Sequence, residues 1–184
     1  MRVVLGVSGA SGAALAPAVA RHLTALGAEI DLVISKAGER TLVEEIGPDA
    51  PEALRALVTR VHGIANVGAA IASGSSPVVG MIVAPCSMRS LAAVAHGLDD
   101  NLLTRAASVQ LKERRRLVLL TRESPLTLAH LRNMTAVTEM GGIIAPPVPA
   151  FYLRPESVAA ITEQIAARAV DLLGIGRPQA QAWG

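Results

Sequence analysis

Cysteine occurs once in the 184 residues, and so do phenylalanine, tyrosine and tryptophan. A lone Cys86 excludes an intrachain disulfide and a cysteine-rich zinc site, and it suits a reducing cytoplasm. Three aromatic rings cannot form a stacking platform for single-stranded nucleic acid. A formal net charge of +2 leaves no global footprint for nucleic acid, although basic residues gather in the second half. No apolar run approaches the ~20 residues that span a bilayer. The N-terminus has one Arg and a short apolar strand running into a glycine loop, unlike a signal peptide. His22, His62, His96 and His130 lack metal-ligand spacing and read as structural or solvated, so no metal is expected.

The excess is apolar. Hydrophobic residues make up 51% of the chain and charged ones 17%, which is greasy for a soluble monomer of one-domain size. With a membrane excluded by run length, a homo-oligomer is the better account of that surplus.

Apolar β-branched runs alternate with helical patterns, predicting a single doubly wound α/β domain with a buried parallel sheet. Strands are expected at 2–7, 30–34, 78–83, 117–120 and 143–145. The third is stopped by Pro85 and the last by Pro146-Pro147. Helices are expected from Gly12 to near Gly27, then at 37–46, 51–61, 87–95, 102–113, 126–139 and 155–173. The domain takes residues 1–175. Residues 176–184 form a polar, proline-containing tail expected to fray.

Five segments fall at strand ends, where open α/β sheets bind ligands. Gly9-Ala10-Ser11-Gly12 offers small residues and a helix N-terminus to an anion, or is a tight capped turn. Ala84-Pro85-Cys86-Ser87-Met88-Arg89-Ser90 repeats the arrangement, with Ser87 as helix cap and Ser90 as a second hydroxyl. Cys86 has no His placed to activate it and reads as a buried thiol.

In the third segment, Asp99-Asp100-Asn101 to Arg116, the run at 112–116 reads as a solvated helix end. Arg105 lies amid Leu102, Leu103, Ala106 and Ala107, and there it needs a carboxylate or phosphate. Arg122-Glu123 could serve phosphate binding plus proton transfer, or be an edge ion pair. The segment from Pro146 to Tyr152 holds the only Phe and Tyr; it could wall an apolar pocket or be a rigid surface loop. The residues alone therefore argue for a phosphate-binding α/β oligomer.

The ordered set G-A-S-G, A-P-C-S-M, D-N-L-L-T-R-A-A, L-K-E-R-R, R-E-S-P-L, H-L-R-N-M and P-P-V-P-A-F-Y resembles the UbiX/Pad-type flavin prenyltransferases. They lie within the wider family of homo-oligomeric flavin-containing Cys decarboxylases, and the likeness runs from Val3 to Ile175. The resemblance implies a Rossmann-like protomer in a homododecamer, with FMN at trimer interfaces. It implies transfer of a dimethylallyl group from dimethylallyl phosphate to N5 and C6 of reduced FMN. Prenylated FMN would pass to a UbiD-type decarboxylase, and no metal is required.

By matching position, Gly9, Ala10, Ser11, Ser35, Ser87, Met88, Arg89, Ser90 and Arg122 would hold FMN, with Ser11 near N5. Lys112, Arg122, Tyr152 and Arg168 would hold dimethylallyl phosphate. Glu45 and Glu123 would handle protons, and Arg105 would lie near the site. Trp183 resembles a C-terminal Trp that some members fold over the substrate.

Arg89-Ser90 stands where many members have Lys-Thr, Ser108 where Asp is common, and Thr127 where His is common. A flavin-dependent cysteine decarboxylase of the same superfamily would use an early active-site His, and none lies between Gly12 and His22. The other alternative is a flavin-binding accessory subunit without catalysis.

Overall fold

Six short, mostly apolar segments form strands, and in the computed structural model, which describes residues 1–183, they lie side by side and all parallel. They are β1 (Arg2–Val7), β2 (Glu29–Ile34), β3 (Arg60–His62), β4 (Val78–Cys86), β5 (Arg116–Thr121) and β6 (Ile143–Ile144). Their order, β3-β2-β1-β4-β5-β6, is that of the doubly wound nucleotide-binding sheet. Successive side chains of β1 serve opposite faces. Val3, Leu5 and Val7 join one core, and Val4 joins the other. Burial on both faces explains why the strands read as unbroken apolar runs.

The first face carries α1 (Leu15–Ala25), α2 (Lys36–Glu45), α3 (Ala50–Ala56) and α7 (Val158–Asp171). Leu23, Leu42, Leu54 and Val170 drive into its core. The opposite face carries α4 (Met88–Ala95), α5 (Leu102–Lys112) and α6 (Leu128–Glu139), through Leu91, Leu103 and Val137. Among the described residues, no helix is long and apolar enough to cross a membrane.

Three expectations need correction. The helix foreseen at 51–61 ends at Ala56, and the chain re-enters the sheet as β3. That strand has one apolar residue, Val61, so no periodicity announces it. Polar contacts hold it instead. Asp31, wholly buried on β2, accepts from Arg2 Nη2 at 2.8 Å and lies 2.8 Å from His62 Nε2. Next, β4 runs through Pro85 to Cys86, with a register slip between Val83 and Cys86. The slip accommodates a residue with no N–H to give the ladder. Finally, the tail packs back along α7 rather than fraying.

Candidate active site

Strand order reverses between β1 and β4, so the loops leaving them diverge and open a crevice at the carboxyl edge. Ser8 ties the two loops together. Its buried hydroxyl donates to the Pro85 carbonyl at 3.1 Å and accepts the Ser87 N–H at 2.8 Å. Gly9 then passes the first turn of α2 so closely that a β-carbon there would lie 2.3 Å from that of Ala37. Only glycine fits. Ser35 caps α2, accepting the Gly38 N–H at 3.0 Å, and Ser87 caps α4, accepting the Ser90 N–H at 3.2 Å. The N–H groups of Met88 and Arg89 have no partner among the described residues. This end of α4 is thus ready for an anion.

The first turn of α1 is different. No side chain of its own caps it. Glu45, from the last turn of α2, accepts the N–H groups of Gly12 at 2.9 Å and Ala13 at 2.8 Å. The anion that this loop suggests is therefore the protein's own carboxylate. Partial burial acts to raise the Glu45 pKa, but the Ala13 amide, the Ser11 hydroxyl, the Gly12 amide and the charge of Arg122 outweigh it and lower the value. A carboxylate held ionised in this way is a strong acceptor and a poor proton donor.

Arg122 leaves the carboxyl end of β5, with its N–H on the Cys86 carbonyl at 3.1 Å. Glu123 follows, exposed, and accepts only the Ser124 N–H among the described residues. The carboxyl edge thus gathers Gly9, Ala10, Ser11, Ser35, Glu45, Ser87, Met88, Arg89, Ser90, Arg122 and Glu123. Arg89 is turned outward, paired with Asp100. Buried Thr121 Oγ1, at the same edge, lacks a partner among the described residues.

Beside this edge, on the face of α1 and α7, lies a cavity of 530 Å³. Leu120, Ala145, Ile165 and Ala169 form apolar wall, while Tyr152, Arg168 and Trp183 bring polar atoms and rings. The Tyr152 and Trp183 rings meet edge to face, 4.8 Å between centroids, a contact worth about 0.5–1.5 kcal/mol.

Lys112 and Arg105 are elsewhere. Lys112 ends α5 and pairs with Glu113, just before β5 begins at Arg116. That is the amino edge of the sheet, one six-residue strand from Arg122, or about 20 Å. Arg105 donates to Asp99 at 3.0 Å and to the Ala72 carbonyl at 3.3 Å, so its partner is a carboxylate of the same chain. Arg105, Ser108 and Lys112 line a separate recess on the α5 face. A single protomer therefore does not unite the expected phosphate ligands. Arg115, read as a solvated helix end, instead donates to the carbonyls of Ser76 and Gly74 at 2.9 and 2.6 Å.

The Flavoprotein family model matches residues 1–169. The flavin prenyltransferase UbiX of Neisseria meningitidis serogroup B is 51% identical over 182 residues, 99% of this chain and 96% of the relative. The chain belongs to the UbiX flavin prenyltransferases. AnUbiX (PadA1), crystallised in complex with FMN and dimethylallyl pyrophosphate, superposes with a TM-score of 0.94 at 44% identity. The match covers 100% of this chain and 97% of that one. A dodecameric FMN-dependent UbiX-like decarboxylase from Escherichia coli O157:H7 gives 0.94 at 42% identity, covering both chains fully.

In this UbiX-family chain, two features of the site went unforeseen. Ser8 follows β1 directly, and its position before a glycine loop is the one local signal for it. The anchors of the tail, Gln164 and Asp171, stand on α7, where they read as ordinary polar positions.

Proposed function

We propose that the protein transfers a dimethylallyl group from dimethylallyl phosphate to reduced FMN, yielding prenylated FMN. The observation that carries this reading is the crevice at the β1–β4 reversal, with its α4 amides, Ser35, Ser87 and Arg122, opening beside an apolar cavity that holds Arg168 and Tyr152. The residues fit a flavin phosphate: free amides at a helix end, hydroxyls and one guanidinium suit an oxyanion. The loop of Gly9, Ala10 and Ser11 carries side chains small enough to let a flavin ring approach, and Thr121 has an unspent hydroxyl nearby. Reduced FMN supplies the nucleophilic N5, then C6, for the two carbon bonds.

The chain's own residues do the rest. Arg122, Arg168 and Tyr152 hold the donor phosphate and stabilise its charge as the allylic C–O bond breaks. Glu123, in no ion pair among the described residues, handles a proton at the carboxyl edge. Glu45 keeps the glycine loop in place. The cavity's apolar wall keeps water from the allylic cation. Arg89 and Arg105 are already paired with Asp100 and Asp99, and Arg105 lies off this crevice on the α5 face.

Lys112 joins the site from a second copy, whose amino edge meets this carboxyl edge in a homo-oligomer, a dodecamer as in the Escherichia coli relative. Exposed Leu128, Leu131, Val148, Phe151 and Val158 are surface for such contacts. The product goes to a UbiD-type decarboxylase in the cytoplasm.

The test is anaerobic incubation of the protein with reduced FMN and dimethylallyl phosphate or, in parallel, the pyrophosphate, followed by mass spectrometry of the released flavin. A flavin heavier by one dimethylallyl unit, from the monophosphate, is expected; unchanged mass refutes the reading. Co-assembled Lys112→Ala and Arg122→Ala chains should regain activity that neither has alone. No recovery would place Lys112 outside the shared site.

A further inference from the structure

We propose that Gln164 and Asp171 are positioning residues for prenyl transfer, holding the C-terminal tail of the same chain across the 530 Å³ cavity. The inference rests on the reading of that cavity as the donor site.

Residues 176–183 form no helix or strand, so their backbone groups need partners from elsewhere. Side chains of α7 provide them. The Asp171 carboxylate accepts the N–H of Gln179 at 2.8 Å through one oxygen and that of Ala180 at 3.0 Å through the other. The Gln164 amide pairs both ways with Gln181, accepting its N–H at 3.1 Å and donating to its carbonyl at 3.0 Å. These anchors stand seven residues apart, two turns along one stripe of α7. From α1, the His22 ring lies 2.7 Å from the Gln179 side-chain oxygen, and Leu26 packs on Gly176.

The clasp holds the tail at Gly176 and from Gln179 to Gln181, and delivers Trp183 to Tyr152 at the cavity mouth. Trp183 is 78% exposed in the single chain, so its own contact buries little and the α7 side chains set its place. Pro178, Ala180, Gln181, Ala182 and Trp183 all line the cavity. Without them one wall is open to solvent.

That wall decides between two fates of the donor. When the allylic C–O bond breaks, its electron pair leaves with the phosphate. Either flavin N5 then bonds the carbon, or a water oxygen does, giving a five-carbon alcohol and releasing a proton. A docked tail favours the first.

The experiment uses the full-length oligomer as wild type, Gln164→Ala, Asp171→Ala, the double variant and Trp183→Ala. Trp183 is the only tryptophan, so its fluorescence anisotropy without flavin reads tail docking directly. The double variant should lose anisotropy, form about tenfold more alcohol per prenylated flavin, and raise the KM for dimethylallyl phosphate with flavin affinity unchanged. Trp183→Ala should reproduce the shift in products. Asp171→Asn, which keeps the shape and one acceptor, should fall between and serves if the alanine variants do not fold. Wild-type anisotropy, or a wild-type product ratio despite a freed tail, overturns the assignment. A wild type that makes no prenylated flavin overturns the function instead, while anisotropy still reports the clasp.

Discussion

Replacing Glu45 by Gln keeps the shape of the side chain and removes the charge that two backbone amides address. The lost bonds are those from Gly12 at 2.9 Å and Ala13 at 2.8 Å. Buried, each charge-assisted bond would be worth about 1.5–3 kcal/mol. Glu45 is exposed, and its replacement keeps a carbonyl oxygen, so solvent screening brings the expected total to about 1 kcal/mol. Urea unfolding at a series of pH values measures it. The carboxyl titrates below its ordinary value of 4.5 in the folded protein, for the causes given above. A lowered folded value means the stabilisation is complete above the ordinary pKa and is lost as pH falls through the lowered one. The gap between native and variant should therefore hold from neutrality to about pH 5 and close below 4.5. Because the amides belong to the loop proposed to face the flavin, FMN should bind up to about tenfold more weakly, and turnover at saturating flavin should drop less than tenfold. Unchanged flavin affinity with turnover down about 10²–10⁴-fold is the signature of lost general acid–base catalysis. That result would refute the clamp and make Glu45 a proton carrier.

Glu123→Gln, by contrast, should bind FMN normally and lose about 10²–10⁴ in turnover; unaltered turnover removes it from the mechanism. Burial pushes the Cys86 thiol up to about 12, so iodoacetamide at pH 8 should label it only after denaturation, and rapid native labelling would contradict that. Asp31→Ala strands Arg2 and His62 and should cost about 3–5 kcal/mol in urea unfolding, where a loss under 1 would mean the pair holds little. Ser8→Ala should cost about 1–3 kcal/mol and weaken FMN binding while leaving Trp183 anisotropy alone.

How far the sequence reveals this molecule depends on where each partner lies. β1, β2, β4 and β5 are legible because burial on both faces demands mostly apolar residues, with Asp31 the buried exception on β2. The loops at their carboxyl ends are legible because close backbone approach demands small residues, as at Gly9. β3 is not, since beyond its backbone pairing with β2 it is held by the contact of His62 with Asp31, 31 residues away. The docking of the tail is hidden for the same reason. A polar segment with proline reads as loose, and the Asp171 and Gln164 side chains that order it belong to another element.

Lys112 is the more instructive case. Matched motifs put it in one list with Arg122, and a list has no geometry. Yet the order of elements already separates them. A residue that ends α5 immediately before β5 stands at the amino edge, and a residue that follows β5 stands at the carboxyl edge. A reaction needing both cations at one phosphate cannot be completed by one copy of this sheet. The same chain is rich in apolar residues for its size and leaves Phe151, Val148 and Leu128 exposed. Under the proposed function, split cations and surplus apolar surface are met together if burying that surface between copies brings one copy's amino edge to the next copy's crevice. On this reading, a surface change that dissociates the oligomer should abolish prenyl transfer even where every residue lining the crevice is intact.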